Sequence, residues 1–249
     1  MPENFEAIAG ARIITGPDTS PVADATDIEA AVSSVNVVAA ADIARTGAAT
    51  TRSYNPDMPT QHFATHFSEH QKVIAECLAS LQPSVEAAGD TIISCLGRGG
   101  KLLAFGNGGS ATQASHLVEE LIGRYKDTRR PLPAVSLVGD SGVVTCIAND
   151  FGYDALFERQ VEGLATMGDV VVGITTSGKS ANVLRGLKAA KEKRAITIAL
   201  CGRSGLQNGT ADHVISVPSD NGAYIQEVHL MVLHVWCIAV DATIKAGGL

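Results

Sequence analysis

The sequence is poor in aromatic residues, holds more acidic than basic residues, and has cysteines without a recognisable spacing. Aromatic residues make up 4% of the 249 residues, and the formal net charge is −7. Because nucleic-acid binding depends on a positive field, this balance predicts no nucleic-acid partner. The five cysteines are odd in number and form no C-x-x-C pair, which favours reduced thiols in a cytoplasm.

A secretion signal and a membrane-spanning run are also missing from the sequence. Met1–Glu6 lacks the basic stretch with which a signal peptide begins. No apolar run approaches the roughly 20 residues that cross a bilayer. We therefore expect a cytoplasmic protein with no membrane partner.

Residues 1–59 differ in composition from the rest of the chain. They hold eight acidic residues against three basic ones and are rich in Ala, Thr, Asp and Ser. Their periodicity is weak, apart from possible short helices at residues 28–32 and 37–44. We interpret residues 1–59 as a low-complexity N-terminal extension that is ordered in part at most. Residues 60–249 are then the functional domain.

Residues 60–95 have the periodicity of a helix with a break at Pro83. An apolar stripe predicts a core face or a subunit interface: Phe63, Phe67, Ile74 and Leu78. Histidines recur at every fourth position, at His62, His66 and His70. Without an evident partner ligand, this spacing favours a solvated helix face over a metal site.

From residue 101 onward, short continuous apolar runs alternate with helical patterns. The candidate strands are residues 101–105, 134–138, 169–174, 195–200 and 213–217, and the candidate helices are residues 109–124, 142–148, 155–166, 181–193 and 224–245. Continuous apolar strands are typical of a parallel sheet that is buried on both faces. The expected fold is therefore α/β, a doubly wound, flavodoxin-like parallel sheet of five strands flanked by helices.

The glycine turn Gly106–Ser110 follows the first of these strands and leads into a helix. Glycine permits positive φ and close approach of a ligand, and the amides of such a turn can surround an anion. His116 and Glu120 lie one turn apart on the helix that follows, so they share a face. This combination indicates chemistry on a phosphorylated or polyhydroxylated small molecule.

A second strand, loop and helix cover residues 170–182. Gly173–Ser180 matches the P-loop pattern G-x-x-x-x-G-K-[ST]. The loop holds hydroxyls in place of glycines, and no later strand ends in an aspartate for magnesium, so we interpret the match as chance. Hydroxyls, loop amides and a helix N-terminus suit one phosphate monoester, although a simple helix cap is the alternative.

The last helix places polar side chains in an otherwise apolar run. His234 lies among Leu233, Val235 and Trp236, where a hydrogen-bonded core histidine is the usual interpretation. A functional role requires a partner. His116 and Glu120 supply one if the two helices converge.

Five segments together resemble the SIS (sugar isomerase) fold and, within it, the phosphoheptose isomerases. They are Gly106–Ser110, His116–Tyr125, Asn149–Gly152, Thr176–Asn182, and Ile225–His229 with His234. The resemblance covers about residues 60–245. It implies interconversion of D-sedoheptulose 7-phosphate and D-glycero-D-manno-heptose 7-phosphate through an enediol, in a homotetramer whose active sites lie at subunit interfaces.

The resemblance also implies a role for individual residues. Substrate contacts fall on Asn107, Gly108, Gly109, Ser110, Asn149, Asp150 and Gln226, with the phosphate held by Thr175, Thr176, Ser177 and Ser180. One zinc ion per subunit would be bound by His116, Glu120, Gln226 and His234. Glu120 and His234 match the acid–base pair. Gln226 and His234 are about 12 Å apart along a straight helix, so both must lean inward to share one ion.

Three positions depart from the family pattern. Thr175 replaces a usual serine, Lys179 stands where asparagine is common, and Tyr224 stands where arginine is common. The loss of that arginine bears on sugar contacts or on an interface.

Two other functions fit the same fold. One is a non-catalytic regulator of the replication-initiator-associating type, which binds a protein and lacks the acid–base pair. The other is a module that senses a sugar phosphate, but residues 1–59 contain no evident helix-turn-helix. Because Glu120 and His234 are both present, the enzyme is the preferred interpretation.

Overall fold

The structure is a computed structural model that describes residues 58–249, with side chains from His62 onward. The short helices predicted at residues 28–32 and 37–44 lie outside the described residues. The division at residues 59/60 remains a prediction.

Helices and strands alternate along the described part of the chain. The helices are α1 (Met58–Ser80), α2 (Gln82–Gly97), α3 (Gly109–Ile122), α4 (Ser141–Phe151), α5 (Leu156–Leu164), α6 (Ala181–Glu192) and α7 (Gly222–Lys245), with a 3₁₀ turn at Tyr153–Ala155. The strands are β1 (Leu102–Gly106), β2 (Ala134–Ser136), β3 (Val170–Ile174), β4 (Ile196–Cys201) and β5 (His213–Ser216). All five predicted strands and the five predicted helices after residue 101 are confirmed, with ends that shift by a few residues.

The five strands form one parallel sheet in the order β2-β1-β3-β4-β5. Every residue of β1 and β3 is buried, because helices cover both faces of the sheet. Leu102 and Ala104 point into one core together with α2, α3 and α7. Leu103 and Phe105 point into the other, which α5 and α6 complete. The predicted doubly wound, flavodoxin-like sheet is confirmed.

The helix predicted for residues 60–95 is two helices that break at Leu81. Pro83 lies in the first turn of α2, where its missing N–H costs no hydrogen bond. The core interpretation of the stripe on α1 is wrong for three of its residues, since Phe63, Phe67 and Leu78 are 63%, 61% and 77% exposed. Ile74 of the same stripe packs against the core, and the interface interpretation of the three exposed residues remains a prediction.

Two of the three histidines of α1 have a partner, which the sequence did not reveal. Glu227 of α7 lies 2.8 Å from His66 Nε2 and 3.1 Å from His70 Nδ1. The ring of Tyr224 stacks on His70 with a centroid distance of 5.5 Å. The solvated-face interpretation is therefore wrong for His66 and His70, which join α1 to the first turns of α7.

Helix α7 is longer and more apolar than the sequence analysis allowed. Within the described residues, Gly222–Lys245 is the helix whose length and hydropathy match those of a membrane span, and 44% of that window is buried. Val228, Leu233 and Trp236 pack in the core beside α2 and α3. The expectation that no segment has such a composition is corrected, and α7 is a core helix of this fold.

Candidate active site

The glycine turn leaves the carboxyl end of β1 and begins α3. Gly108 has φ = +55° and precedes the first residue of the helix, so this position favours glycine. A Cβ atom on Gly109 would lie 2.6 Å from Nε2 of Gln226. Glycine at residue 109 thus lets the amide of Gln226 lie directly against the turn.

Helices α3 and α7 converge and bring together three side chains that the sequence singled out. His116 Nε2 lies 3.1 Å from His234 Nε2 and 3.4 Å from Glu120 Oε1. One ligand atom from each of the three residues lies within 4.8 Å of the other two. His116, Glu120 and His234, here called the triad, are therefore one group, and His234 is not an isolated core histidine.

The triad is arranged so that it can hold a metal ion. Two imidazole nitrogens and one carboxylate oxygen are donors that bind divalent transition metals. Glu119 Oε2 lies 3.3 Å from His116 Nδ1, the ring nitrogen that faces away from His234. A carboxylate in this position orients a ligating imidazole. The sequence analysis assigned no role to Glu119.

Gln226, the fourth predicted ligand, is close to the turn but is not hydrogen-bonded to the triad in the described part of the chain. Its backbone carbonyl accepts a 2.6 Å hydrogen bond from Gln113 Nε2, which ties α7 to α3. Its side-chain amide faces Gly109. Gln226 therefore lies beside the glycine turn, and its place in the ligand set remains a prediction.

Residues 175–180, here called the hydroxyl loop, leave the carboxyl end of β3, the strand next to β1. Thr175 Oγ1 and Ser180 Oγ lie 3.0 Å apart, so the Ser180 hydroxyl does not cap α6. Ser177 is exposed and Thr176 half-buried, and the Ser177 hydroxyl accepts a hydrogen bond from Lys179 N. The first amides of α6 and several hydroxyls thus face one edge of the sheet, where an anion can approach.

The structure also explains the P-loop match. Gly173 lies within β3 rather than in the loop, and a Cβ atom there would come within 3.1–3.2 Å of Leu187 and Val183. Its small size serves the packing of α6 on the sheet. The interpretation as a chance match agrees with this position.

Asn107 links the two loops. Asn107 Nδ2 donates to Asn182 Oδ1, and Asn182 Nδ2 donates to Asn107 Oδ1, each over 2.8 Å. The hydroxyl of Tyr153 donates to Asn107 Oδ1 over 2.8 Å. Sequence reasoning gave no role to Asn182 or Tyr153, although Asn182 belongs to one of the segments that carried the resemblance.

Asn149 and Asp150 lie at the end of α4 and are exposed. Asn149 Nδ2 donates to Asp150 Oδ1 over 2.8 Å. Within residues 58–249 neither side chain is hydrogen-bonded to the glycine turn, and Tyr153, a few residues on, makes that connection. Their contact with a sugar remains a prediction.

His229 belongs to the same segment of α7 but lies in the core. Its Nε2 is 3.2 Å from the carbonyl oxygen of Cys201 at the end of β4, and its Nδ1 has no hydrogen-bond partner within the described residues. Burial lowers the pKa of His229 to about 4, against the smaller opposing effect of that hydrogen bond. His229 is therefore a neutral structural residue.

A doubly wound sheet with a glycine turn and a hydroxyl loop at its carboxyl edge defines a SIS-domain protein, and a family model described as the SIS domain matches residues 65–202. The phosphoheptose isomerase of Campylobacter jejuni subsp. jejuni serotype O:6 is 43% identical over 176 residues, which are 70% of this chain and 94% of the relative. The chain belongs to the phosphoheptose isomerases of the SIS domain family.

Two solved structures agree with this assignment. A phosphoheptose isomerase from Francisella tularensis is 34% identical with a TM-score of 0.71, and the match covers 74% of this chain and 98% of that one. The phosphoheptose isomerase GmhA from Neisseria gonorrhoeae is 39% identical with a TM-score of 0.68, over 74% and 98% of the two chains. The similarity therefore spans nearly the whole of each solved chain.

Proposed function

We propose that this protein interconverts D-sedoheptulose 7-phosphate and D-glycero-D-manno-heptose 7-phosphate, with Glu120 and His234 as the acid–base pair. The observation that carries the proposal is the convergence of the triad from α3 and α7. His116 and Glu120 lie on the helix that the glycine turn begins, and the hydroxyl loop leaves β3, the strand next to β1. The names of the relatives point to the same reaction class.

Aldose–ketose isomerisation requires two proton transfers that this site can supply. A base removes a proton from C1 of the ketose, an enediol forms, and a proton is delivered to C2 while the hydroxyl proton passes from O1 to O2. Glu120 is largely buried and His234 is half-buried, so both are partly shielded from water. The Glu120 carboxylate and the His234 imidazole both lie against His116 Nε2. They are therefore close enough to divide these transfers between them.

Substrate binding is divided between the two loops in this proposal. Thr175, Thr176, Ser177 and Ser180 would hold the phosphate through hydroxyls and amides at the start of α6. The sugar hydroxyls would contact Asn107, Gly108, Gly109, Ser110 and Gln226, with Asn149 and Asp150 completing the site. The hydrogen bonds between Asn107 and Asn182 would fix the distance between the sugar and phosphate positions.

Zinc is the metal that the donor set fits best. His116, Glu120 and His234 supply nitrogen and oxygen ligands, with Gln226 as the proposed fourth. When bound, zinc would polarise the oxygens on C1 and C2. Glu120 and His234 would then have to exchange between binding the ion and moving protons, because a ligated imidazole has no free lone pair.

A cytoplasmic homotetramer with active sites at subunit interfaces completes the proposal. Met231, Val235 and Ile238 form an exposed apolar stripe on α7, next to His234. Phe63 and Phe67 add a second exposed patch on α1. Exposed apolar patches often mark an interface, and the stripe on α7 includes Val235, the neighbour of His234 in the chain.

The proposal is tested by incubating the full chain with sedoheptulose 7-phosphate, with and without zinc, and measuring aldoheptose phosphate. We expect turnover by the wild type and a loss of at least about 100-fold in Glu120→Gln. Glu192→Gln is the matched control, since this carboxylate is exposed on α6 and its ion pair with Lys188 is long, at 3.7 Å. Absence of wild-type turnover, or equal turnover by Glu120→Gln, would contradict the proposal and favour a non-catalytic regulator.

A further inference from the structure

The end of α3 is fixed by an arginine from outside the helix. Arg129 Nη2 donates to the carbonyl oxygen of Glu120 over 2.6 Å, and Arg129 Nη1 donates to that of Leu121 over 2.8 Å. The last carbonyls of a helix have no partner within it, and a cation there also complements the helix dipole. Leu132 N also donates to the Leu121 carbonyl, but the carbonyl of Glu120 itself is held by Arg129.

Asp241 of α7 holds that arginine in place. Its Oδ1 accepts a 2.7 Å hydrogen bond from Arg129 Nε. Its Oδ2 accepts from the backbone amides of Lys126 and Asp127, over 3.2 Å and 3.5 Å. The side chains of Arg129 and Asp241 are only 2% and 7% exposed, so water does not replace these contacts.

The ion pair and the triad bridge the same two helices. Asp241 follows His234 by about two helical turns, so both side chains project from nearly the same side of α7. Arg129 contacts the backbone of Glu120 itself. Two points of contact, one at the triad and one at the ion pair, thus fix how far the last turn of α3 lies from α7.

We propose that Arg129 and Asp241 are positioning residues that set the distance between Glu120 and His234. This inference rests on the proposed function, because it assigns the pair a purpose in the proton transfers and in metal binding. A misplacement of about 1 Å between catalytic groups can reduce turnover by about 100-fold. Neither residue contacts the glycine turn or the hydroxyl loop in the described residues, so substrate binding should be little affected.

A second buried ion pair offers a matched control. Asp169 accepts a 2.6 Å hydrogen bond from Lys101 Nζ and also accepts from the backbone amides of Lys101 and Thr166. Its side chain is 3% exposed. The pair thus has the same kinds of hydrogen bonds as Arg129 and Asp241, but within the described residues the bonds of Asp169 go to Lys101 and Thr166, and none reaches α3 or α7.

The experiment compares Asp241→Asn with Asp169→Asn in the full chain, measuring kcat, KM and the affinity for zinc. We expect Asp241→Asn to lower kcat about 10- to 100-fold, with KM changed less than about 3-fold, and to weaken zinc binding about 10- to 100-fold. Asp169→Asn should keep kcat and zinc affinity within about 2-fold of the wild type. This should hold even if its melting temperature falls as far as that of Asp241→Asn. Equal kcat and zinc affinity in the two variants would overturn the inference.

Two further arms keep the outcomes distinct. Should Asp241→Asn not fold, the double variant Arg129→Met/Asp241→Leu removes the same contacts without leaving a buried charge, and it should show the same losses. A wild type that binds zinc but turns over no substrate would contradict the proposed function, and weaker zinc binding in Asp241→Asn would still support positioning. A wild type without turnover or zinc binding would overturn both.

Discussion

His229 makes the stability of this fold depend on pH between its pKa in the unfolded chain and its lower pKa in the folded one. Its Nε2–H donates to the carbonyl oxygen of Cys201, and a proton on Nδ1 would be buried without a partner. Burial therefore lowers its pKa from 6.5 to about 4. Between these values the unfolded chain binds a proton that the folded chain does not bind, so stability is lost as the pH falls from about 6.5 to about 4.

The loss corresponds to about 3 kcal/mol, at about 1.4 kcal/mol for each pH unit between the two pKa values. The variant His229→Gln keeps a donor for Cys201 and does not titrate, so the wild type should lose about 3 kcal/mol more than the variant. Urea unfolding at fixed protein concentration, in EDTA, measures this difference between pH 7.5 and pH 4. Trp236, the one tryptophan and only 1% exposed, reports the transition.

The two proteins also share the remaining titrating groups, so their difference isolates His229. Hydrogen bonds hold the pKa of Asp169, Asp212 and Asp241 below its usual value, although burial alone would raise it. Their contributions are present above the unfolded pKa of 3.8 and disappear at lower pH. Equal losses by the wild type and His229→Gln between pH 7.5 and pH 4 would refute the reasoning.

Two substitutions test the site and its surroundings. Gly109→Ala should displace the amide of Gln226, because the added Cβ atom would lie 2.6 Å from Nε2. It should lower kcat/KM about 10- to 100-fold with little change in melting temperature. The control Gly163→Ala should keep activity, because a Cβ atom there meets nothing within 4 Å. Phe67→Glu should dissociate the tetramer and abolish activity, as measured by light scattering and turnover, whereas Met167→Glu, at a residue 72% exposed, should do neither. An active Gly109→Ala variant or a tetrameric Phe67→Glu variant would contradict these expectations.

Much of the fold could be predicted because the signals were local. Continuous apolar runs identified the strands, since a parallel sheet covered on both faces requires apolar side chains at every position. The turn at Gly108 was predicted from its glycines, and its φ of +55° agrees. His116 and Glu120 share a face because four residues make about one helical turn.

Contacts between distant segments could not be predicted in the same way. Glu227 lies against His66 across 161 positions, and Asp241 lies against Arg129 across 112. Periodicity within α1 gave no sign that Phe63 and Phe67 would remain exposed, since an apolar stripe fits a core and an interface equally. The meeting of His116 and His234 depended on the packing of α3 against α7, for which the resemblance was the only guide.

The central claim is that Glu120 and His234 move a proton between C1 and C2 of a sugar phosphate. The most direct measurement is isomerisation of sedoheptulose 7-phosphate in D₂O, followed by NMR of the aldoheptose phosphate over many turnovers. The account predicts that deuterium from the solvent enters at C2 with the wild type and that Glu120→Gln shows neither product nor exchange. Deuterated product formed by Glu120→Gln at the wild-type rate would contradict it, because the proton would then move without this carboxylate.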